Sequence, residues 1–583
     1  MAPSEFLFAT DVDELKQKER VTVQLNGNTV ALFWHDDRVY AVDNRCPHMG
    51  FPLDRGSVND CILTCHWHHA RFDLTSGGTF DQWADDVRAF PVQIQDGKVM
   101  VDVALHQNEV ERQRGRLRVG LERDISLVLG KSVLTLMDAS TDGLEPFRSA
   151  LEFGTTQRWA GWGQGLTMLG CFMRLLPYLA AGDRPRALYH GLSAVARDTA
   201  DSAPRYPIRP LPDDTADLAT LKRWFRRFVE VRDAEGAERC IISAIRAGAD
   251  DREMADMLFA AVTDHRYVDV GHPADFTNKA LESLDIAGWE YADKVLPSLA
   301  MGYANASRME ESNAWRHPID LIAVMESAFD ELPAVLEEGE AHRAQGGSEW
   351  ADREALTTIL LDDDPQMSVD AMLDALRTGC TQDQLAAVVA YAAALRIARF
   401  HTSNEFGDWD TALHTFTFAN AIHQGMRRSP SVELLRGVFD AATSVYLDRF
   451  LNIPAARLPE GRNRNERPEE LLADFPVLLD QQQQVNEAGR LVADYLDAGG
   501  AAEPLLAQIG ALLLREDRNF HTIQCVEAAF NQFALQTDKI AQRNTLVAAA
   551  RYLAAHSPTV RAQRQTYEIA RRLHDREELF EGE

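Results

Sequence analysis

Positive charge is the first thing this sequence is short of. Its 583 residues include 60 lysines and arginines against 89 aspartates and glutamates, for a formal net charge of −29. The densest basic segment, Lys222 to Arg227, has the pattern of one solvated face of an amphipathic helix. An acidic chain without a basic patch is repelled by phosphate backbones and anionic lipids. The sequence therefore predicts no nucleic-acid partner and no membrane-surface partner.

Long apolar runs and a disulfide framework are also lacking. No segment approaches the ~18 consecutive apolar residues of a membrane span. The opening residues, MAPSEFLFATDVDELKQ, have neither the basic nor the apolar region of a secretory leader. Seven cysteines in a chain of this length do not resemble a set of paired disulfides. We therefore expect a reducing, cytoplasmic setting and no membrane partner.

What is present divides into two parts of unequal size. Residues 1–105 alternate apolar and polar side chains, with hairpin signals at Asn26-Gly27, Asp36-Asp37 and Asp96-Gly97. A charged linker is predicted at 106–118. From 119 to 583 the apolar residues recur with a helical period, enough for roughly fifteen to twenty helices. The predicted fold is an α+β multidomain chain, a small all-β domain followed by a large all-α helical domain.

Two cysteine–histidine pairs mark the β part as a metal-binding domain. The segment RCPHMG places Cys46 and His48 one residue apart, and sixteen residues later CHWHH supplies Cys65 and His68. Two thiolates and two imidazoles at one site suit either tetrahedral zinc or an iron–sulfur cluster in which histidines replace two cysteines.

The spacing of these pairs, their loop glycines and their strand context together resemble the Rieske [2Fe–2S] family. That resemblance implies that Cys46 and Cys65 hold one iron of the cluster and that His48 and His68 hold the other. The respiratory-chain members add a disulfide between the two loops. Here Cys61 has no partner cysteine in the first loop, so the resemblance is to the ferredoxin-like or oxygenase-like subtype.

The helical part lacks the compact motifs of well-known iron enzymes. No His-x-x-x-x-His pair of the ring-hydroxylating oxygenase type occurs beyond residue 105. No histidine there follows a glutamate by three residues, and His-Glu-x-x-His is also absent. No Gly-x-Gly-x-x-Gly fingerprint follows a strand, so a nicotinamide-dependent reductase is not expected on this chain.

Isolated histidines of the helical part are candidate ligands for a second metal. His190 lies on an apolar helix face, and His265 ends a helix. His272 precedes a proline and is predicted to be a helix N-cap. The helix is expected to be interrupted between His265 and His272, so both histidines can approach one point. His414 is about 180° from His423 on their helix, so at most one of the two faces a shared interior.

Two further residues have a predicted role near these histidines. His401 lies shortly before the helix that carries His414 and is a further candidate ligand. Asp410, one turn before His414, is expected to hold the tautomer of that imidazole, as carboxylates do around metal-bound histidines.

The segments ALYHGLSAVA and ALHTFTFANAI resemble pieces of the questin oxidase-like family, which are all-helical oxygenases of polyketide quinones. That resemblance implies iron bound by several histidines, with a carboxylated lysine as an extra ligand. Carried onto this sequence, it selects His190 and His414, with His265, His272 and His401 as further candidates.

Lys279 is the lysine placed to be the carboxylated ligand, because it lies two turns past His272 on a similar helix face. The alternative is that Lys279 forms a salt bridge with Asp275, four residues earlier.

These elements predict a Rieske-type, O₂-dependent oxidoreductase. Its cluster would pass electrons to a histidine-ligated non-heme Fe(II) that acts on an organic substrate of aromatic or polyketide-like type. An external NAD(P)H-dependent reductase or ferredoxin would recharge the cluster. The alternative is an electron-transfer or redox-sensing protein whose helical domain binds partners without metal.

Overall fold

The computed structural model describes residues 6–81, 83–104, 109–212, 216–346, 350–460, 467–575 and 577. They fold as two compact units. The first runs to Pro146 and includes the segment from Ala562 onward, and the second runs from Phe147 to Arg561. None of the described helices is both long enough and apolar enough to cross a lipid bilayer.

Nine strands lie in the described residues of the first unit: β1 (Phe6–Asp11), β2 (Arg20–Leu25), β3 (Asn28–His35), β4 (Arg38–Asp43), β5 (Ser57–Asn59), β6 (Ile62–Thr64), β7 (Arg71–Asp73), β8 (Val92–Gln95) and β9 (Lys98–Asp102). They pair antiparallel in three sheets of three strands, in the orders β1-β9-β8, β2-β3-β4 and β5-β6-β7.

The three predicted hairpin turns are confirmed. Leu25 pairs with Asn28 and Gln95 pairs with Lys98, which leaves two-residue loops between the strands. Asn26 and Gly27 have φ values of 45° and 76°, the left-handed backbone that a tight hairpin of this kind requires. The pairs at 36–37 and 96–97 have positive φ at both residues as well.

Strand β3 contributes to two separate apolar cores because its side chains alternate between the two faces of the sheet. Val30 and Leu32 pack with β9 in one core. Ala31 and Phe33 pack in the other, which also contains the two cysteines of the Cys–His pairs. The candidate cluster ligands are thus anchored in a core of their own.

Twenty-four α-helices lie in the described residues, four of them in the first unit: α1 (Val12–Lys18), α2 (Glu109–Arg123), α3 (Ser126–Ala139) and α24 (Ala562–His574). The others begin at the boundary between the units and fill the second: α4 (Leu144–Thr156), α5 (Gln164–Leu175), α6 (Arg184–Thr199), α7 (Leu218–Glu230), α8 (Ala234–Arg246), α9 (Asp251–Val262), α10 (His272–Ala287), α11 (Ala292–Val295), α12 (Ala300–Asn305), α13 (Leu321–Ala344), α14 (Arg353–Leu360), α15 (Pro365–Arg377), α16 (Gln382–Ala398), α17 (Phe406–Arg428), α18 (Val432–Asp448), α19 (Pro468–Leu478), α20 (Val485–Asp497), α21 (Ala502–Leu514), α22 (Phe520–Leu535) and α23 (Lys539–Ala555). A small β domain followed by a large helical region is the predicted fold class, which is confirmed.

The predicted linker at 106–118 differs from the structure. Residues 106–108 lie outside the described residues, and α2 begins at Glu109. Its charged residues form ion pairs along the helix, such as Arg112 with Glu109 and Arg118 with Glu122, while Leu117 and Leu121 face inward. Because α2, α3 and α24 belong to the same unit as the β domain, that unit extends well beyond residue 105.

A strained segment positions the first residue of α10. Among the five consecutive residues 267–271, three non-glycine residues have positive φ: Tyr267, Asp269 and Val270. Gly271, with φ 93°, is the N-cap of α10, and His272 is the first helical residue, so His272 is not the N-cap that the sequence predicted. A Cβ atom at Gly271 would lie 2.7 Å from the Phe418 side chain, so glycine allows α10 to approach α17 closely.

Candidate metal centres

Two loops with the same hydrogen-bond pattern carry the Cys–His pairs. In the loop after β4, the Gly50 amide donates to the Cys46 carbonyl at 2.7 Å. In the loop between β6 and β7, the His69 amide donates to the Cys65 carbonyl at 3.0 Å. Gly50 and His69 both have positive φ, 78° and 63°. Each cysteine therefore begins a tight turn that folds back over its own histidine.

These loops bring two thiols together and two imidazoles together. Cys46 and Cys65 are 2% and 1% exposed, and their thiols share a hydrogen bond without forming a disulfide. The rings of His48 and His68 lie edge to face with centroids 4.9 Å apart. His48 is half-buried and His68 is exposed, so one edge of the group faces solvent.

The charge states of these side chains fit metal binding. Backbone amides of residues 48 and 49 donate to the Cys46 sulfur, and those of 67 and 68 donate to the Cys65 sulfur. The hydrogen bond from Cys46, together with those amides, lowers the pKa of Cys65 to about 6. Burial lowers the pKa of His48 to about 4, and its Nδ1 is buried without a hydrogen-bond partner. The same hydrogen bond, together with burial, raises the pKa of Cys46. Thiolate and neutral imidazole are the forms that bind metals, which suits Cys65 and His48, and two thiols beside two imidazoles are the donor set of a histidine-ligated [2Fe–2S] cluster.

Comparison with known proteins gives the same assignment. The sequence family described as "Rieske [2Fe-2S] domain" matches residues 5–91. The β domain is a Rieske domain. The ferredoxin component of naphthalene 1,2-dioxygenase/salicylate 5-hydroxylase systems of Ralstonia sp is 29% identical over 94 residues, which cover 16% of this chain and 90% of that protein.

Two further relatives match over a similar length. A Rieske domain-containing protein of Homo sapiens is 36% identical over 70 residues, 11% of this chain and 44% of that protein. The ferredoxin component of the p-cumate 2,3-dioxygenase system of Pseudomonas putida is 29% identical over 97 residues, 16% of this chain and 82% of that protein. Such matches mostly cover the Rieske domain, so the resemblance of the helical part to the questin oxidase-like family stays a prediction.

A second group of candidate ligands lies in the helical unit. His272 begins α10, His414 lies on α17 and His521 lies on α22, and one ring nitrogen of each is within 4.8 Å of the other two. His414 Nε2 is 3.0 Å from His521 Nε2, and the rings of His272 and His414 lie edge to face with centroids 4.8 Å apart. All three side chains are partly exposed, so a ligand can reach them from outside.

Asp410 fixes the orientation of one of these imidazoles. Its Oδ2 lies 3.3 Å from His521 Nδ1, while its Oδ1 accepts a hydrogen bond of 2.5 Å from the Tyr552 hydroxyl. The predicted role of Asp410 is therefore corrected, because it contacts His521 rather than His414. A proton held on Nδ1 leaves the lone pair of His521 on Nε2, the nitrogen that faces His414.

The separation of the His414 and His521 nitrogens suits two ligands of a single metal ion. Imidazole nitrogens bind metals such as zinc at about 2.1 Å, and two of them at a right angle would be about 3.0 Å apart. Burial, followed by the neighbouring His272 and His521, lowers the pKa of His414 to about 3. Burial also lowers the pKa of His272. Both rings are therefore neutral at pH 7, as metal binding requires.

Three predicted candidates lie apart from this group, each with contacts of its own. His190 is buried on α6 next to the rings of Phe172 and Tyr189. His265 lies between two carboxylates, 2.6 Å from Glu310 and 2.7 Å from Glu230. His401 precedes α17 and shares a hydrogen bond of 2.8 Å with Ser403. Of the predicted histidines, the structure thus brings together His272 and His414. Metal binding by any of these residues stays a prediction.

Lys279 forms a buried ion pair instead of facing the three histidines. Its Nζ lies 2.5 Å from Glu527 and 2.8 Å from Glu282, and its side chain is 1% exposed. Burial opposes the charge, but Glu282 and Glu527 together raise the pKa of Lys279. These are the contacts of an ammonium group, whereas a carboxylated lysine has no positive charge. Lys279 therefore forms a salt bridge, but with Glu282 and Glu527 and not with the predicted partner Asp275.

Sequence reasoning missed His521, which is 107 residues from His414. A signal was available on α22, where the polar residues Gln524, Glu527 and Asn531 follow His521 at intervals of three or four residues and are buried. A polar stripe on the buried side of a helix marks a site where those groups have partners.

Proposed function

We propose that this chain is a Rieske-type, O₂-dependent oxidoreductase with a mononuclear non-heme iron held by His272, His414 and His521. The observation that carries the proposal is the convergence of three imidazoles from three helices, one of them oriented by Asp410. The Rieske cluster would supply single electrons, and the iron would act on an organic substrate with O₂.

Three neutral nitrogen donors are suited to this role. A metal held by three side chains keeps positions open for further ligands, as catalytic sites do and closed structural sites do not. Imidazole ligands suit iron, zinc and copper alike, and the fused Rieske domain favours iron because oxygen chemistry needs an electron supply. Carrying both centres on one chain gives the donor a high effective concentration.

The relatives support a role for the Rieske domain as an electron carrier. Two of them are ferredoxin components of dioxygenase systems, one from Ralstonia sp and one from Pseudomonas putida. By analogy, an external NAD(P)H-dependent reductase or ferredoxin would recharge the cluster here. The cytoplasmic setting is part of the same proposal, and it is supported by the seven cysteines, none of which forms a disulfide in the described residues, because disulfides are rare there.

The exposed edge of the cluster site favours a second candidate, an electron carrier that serves a separate protein. His68 is exposed, and Trp67 and Trp83, whose rings contact His68 and His48, are each 41% exposed. Aromatic side chains around a redox centre offer a surface for a transient partner. In this alternative the helical unit binds partners and holds no metal.

Iron analysis combined with electron paramagnetic resonance separates the two candidates. Protein purified without oxygen should contain about three irons per chain, two in the cluster and one at the histidines. The oxidised protein should then show a ferric signal in addition to the Rieske signal that appears on reduction. About two irons per chain, with the Rieske signal alone after Fe(II) is supplied, would reject the oxygenase and favour the electron carrier.

A further inference from the structure

A lysine from outside the β-sheets reaches the first cluster loop. Lys131 lies on α3, and its Nζ donates to the Pro47 carbonyl at 2.5 Å. Pro47 is the residue between the ligands Cys46 and His48. The Lys131 side chain is 13% exposed, so water screens its charge only weakly.

Lys131 belongs to a network of oppositely charged side chains. The buried Asp85 carboxylate lies 2.9 Å from Arg116, 3.5 Å from Lys131 and 3.6 Å from Arg112. Glu109 pairs with Arg112 at 2.8 Å. Asp86 is a further negative charge that acts on Arg112. Lys131 is the cation of this network that contacts the cluster loop.

This contact places the ammonium group beside both ligands of the first loop, because the Pro47 carbonyl belongs to the residue between Cys46 and His48.

We propose that Lys131 is a positioning residue that raises the reduction potential of the Rieske cluster. One-electron reduction adds one negative charge to the cluster, and a nearby buried cation stabilises the reduced form more than the oxidised form. Asp85 opposes this effect by charge, although it also holds the ammonium near Pro47. The helices after the β domain would thereby set how readily the cluster accepts an electron from its donor.

The test is a redox titration of the full chain with dithionite as reductant, in which visible and electron paramagnetic resonance spectra monitor the reduction of the cluster. K131M should make the equilibrium constant for cluster reduction about tenfold smaller, which lowers the midpoint potential by about 59 mV. K131R keeps the charge and should retain most of the potential. K98M is the matched control, because Lys98 is exposed in the hairpin β8–β9, away from the core that contains the cysteines.

Asp85→Asn gives a prediction of opposite sign. It removes the carboxylate and keeps the three cations, so the midpoint potential should rise. A loop merely loosened by mutation would move both variants in the same direction, which would overturn the proposal, as would equal potentials in K131M and the wild type. If K131M fails to hold the cluster, the D85N result decides, with a rise supporting the proposal and a fall or no change rejecting it. None of these outcomes depends on a metal at His272, so the oxygenase proposal is tested separately.

Discussion

His414 Nε2 lies 3.0 Å from His521 Nε2, although 107 residues separate the two histidines in the chain. Because Asp410 holds the proton of His521 on Nδ1, the Nε2 of His521 is an acceptor. Without metal, His414 can donate a hydrogen bond to it. In the proposed metal site both nitrogens would be ligands at nearly the same separation, so binding would need little rearrangement of this pair.

Replacing His521 with alanine should remove the proposed iron of the helical unit and leave the cluster intact. The loss follows because one of three ligands is gone and the carboxylate of Asp410 loses its partner. Iron per chain should fall from about three to about two, with an unchanged Rieske signal. His401→Ala is the matched control, since His401 contacts Ser403 and lies outside the group. An equal loss of iron in both variants would contradict the assignment.

Asp410→Asn should weaken iron binding without abolishing it. An asparagine keeps the size of the side chain and accepts a weaker hydrogen bond from His521, so the ring is oriented less firmly. Carboxylates in this position typically contribute about 10–100-fold to metal affinity. Competition with a chelator measures the affinity in the wild type and the variant. An affinity equal to that of the wild type would show that Asp410 serves the hydrogen bond of Tyr552 instead.

Features that depend on residues close together in the chain could be predicted from the sequence, whereas features that depend on long-range packing could not. The hairpins at 26–27 and 96–97 depend on two residues each, and the spacing of Cys46, His48, Cys65 and His68 lies within one short segment, so both were predicted. The second site depends on the packing of α10 and α22 against α17. Periodicity alone does not say which helices are neighbours, which is why His521 was missed and the partner of Asp410 was misassigned.

Two predictions based on charged residues differ from the structure, the linker at 106–118 and the partner of Lys279. The segment at 109–118 was predicted to be a linker because it is rich in charged residues, whereas in the structure those residues pair along helix α2. For Lys279, sequence spacing offers Asp275 as the alternative to a metal, yet its partner Glu527 is 248 residues away in the chain. Ion pairs formed by tertiary packing cannot be inferred from spacing within one helix.

Lys279→Met should destabilise the helical unit far more than Lys294→Met. Both lysines lie 2.5 Å from a glutamate, but the pair of Lys279 with Glu527 is 1% and 2% exposed, whereas that of Lys294 with Glu152 is 38% and 49% exposed. Removing one partner of a buried pair leaves an uncompensated charge and costs about 3–5 kcal/mol, against about 0–1 kcal/mol for an exposed pair. Thermal unfolding followed by circular dichroism measures both variants, and similar shifts in Tm would refute the argument.

Asp448→Asn should stabilise the helical unit at high pH and not at low pH. Burial raises the pKa of Asp448 to about 7, although Thr415 and Arg396 oppose the shift, and the carboxyl also faces Tyr267. A carboxyl whose pKa is higher in the folded state than in the unfolded state binds its proton more tightly when folded. The stabilisation that this tighter proton binding gives the folded state is therefore lost as the pH rises from about 4 to about 7. The shift of about three pKa units, at 1.36 kcal/mol each, sets an upper limit of about 4 kcal/mol. The Tm of the variant minus that of the wild type should be larger at pH 8 than at pH 5, and a difference independent of pH would show that Asp448 is ionised in the folded chain throughout this range.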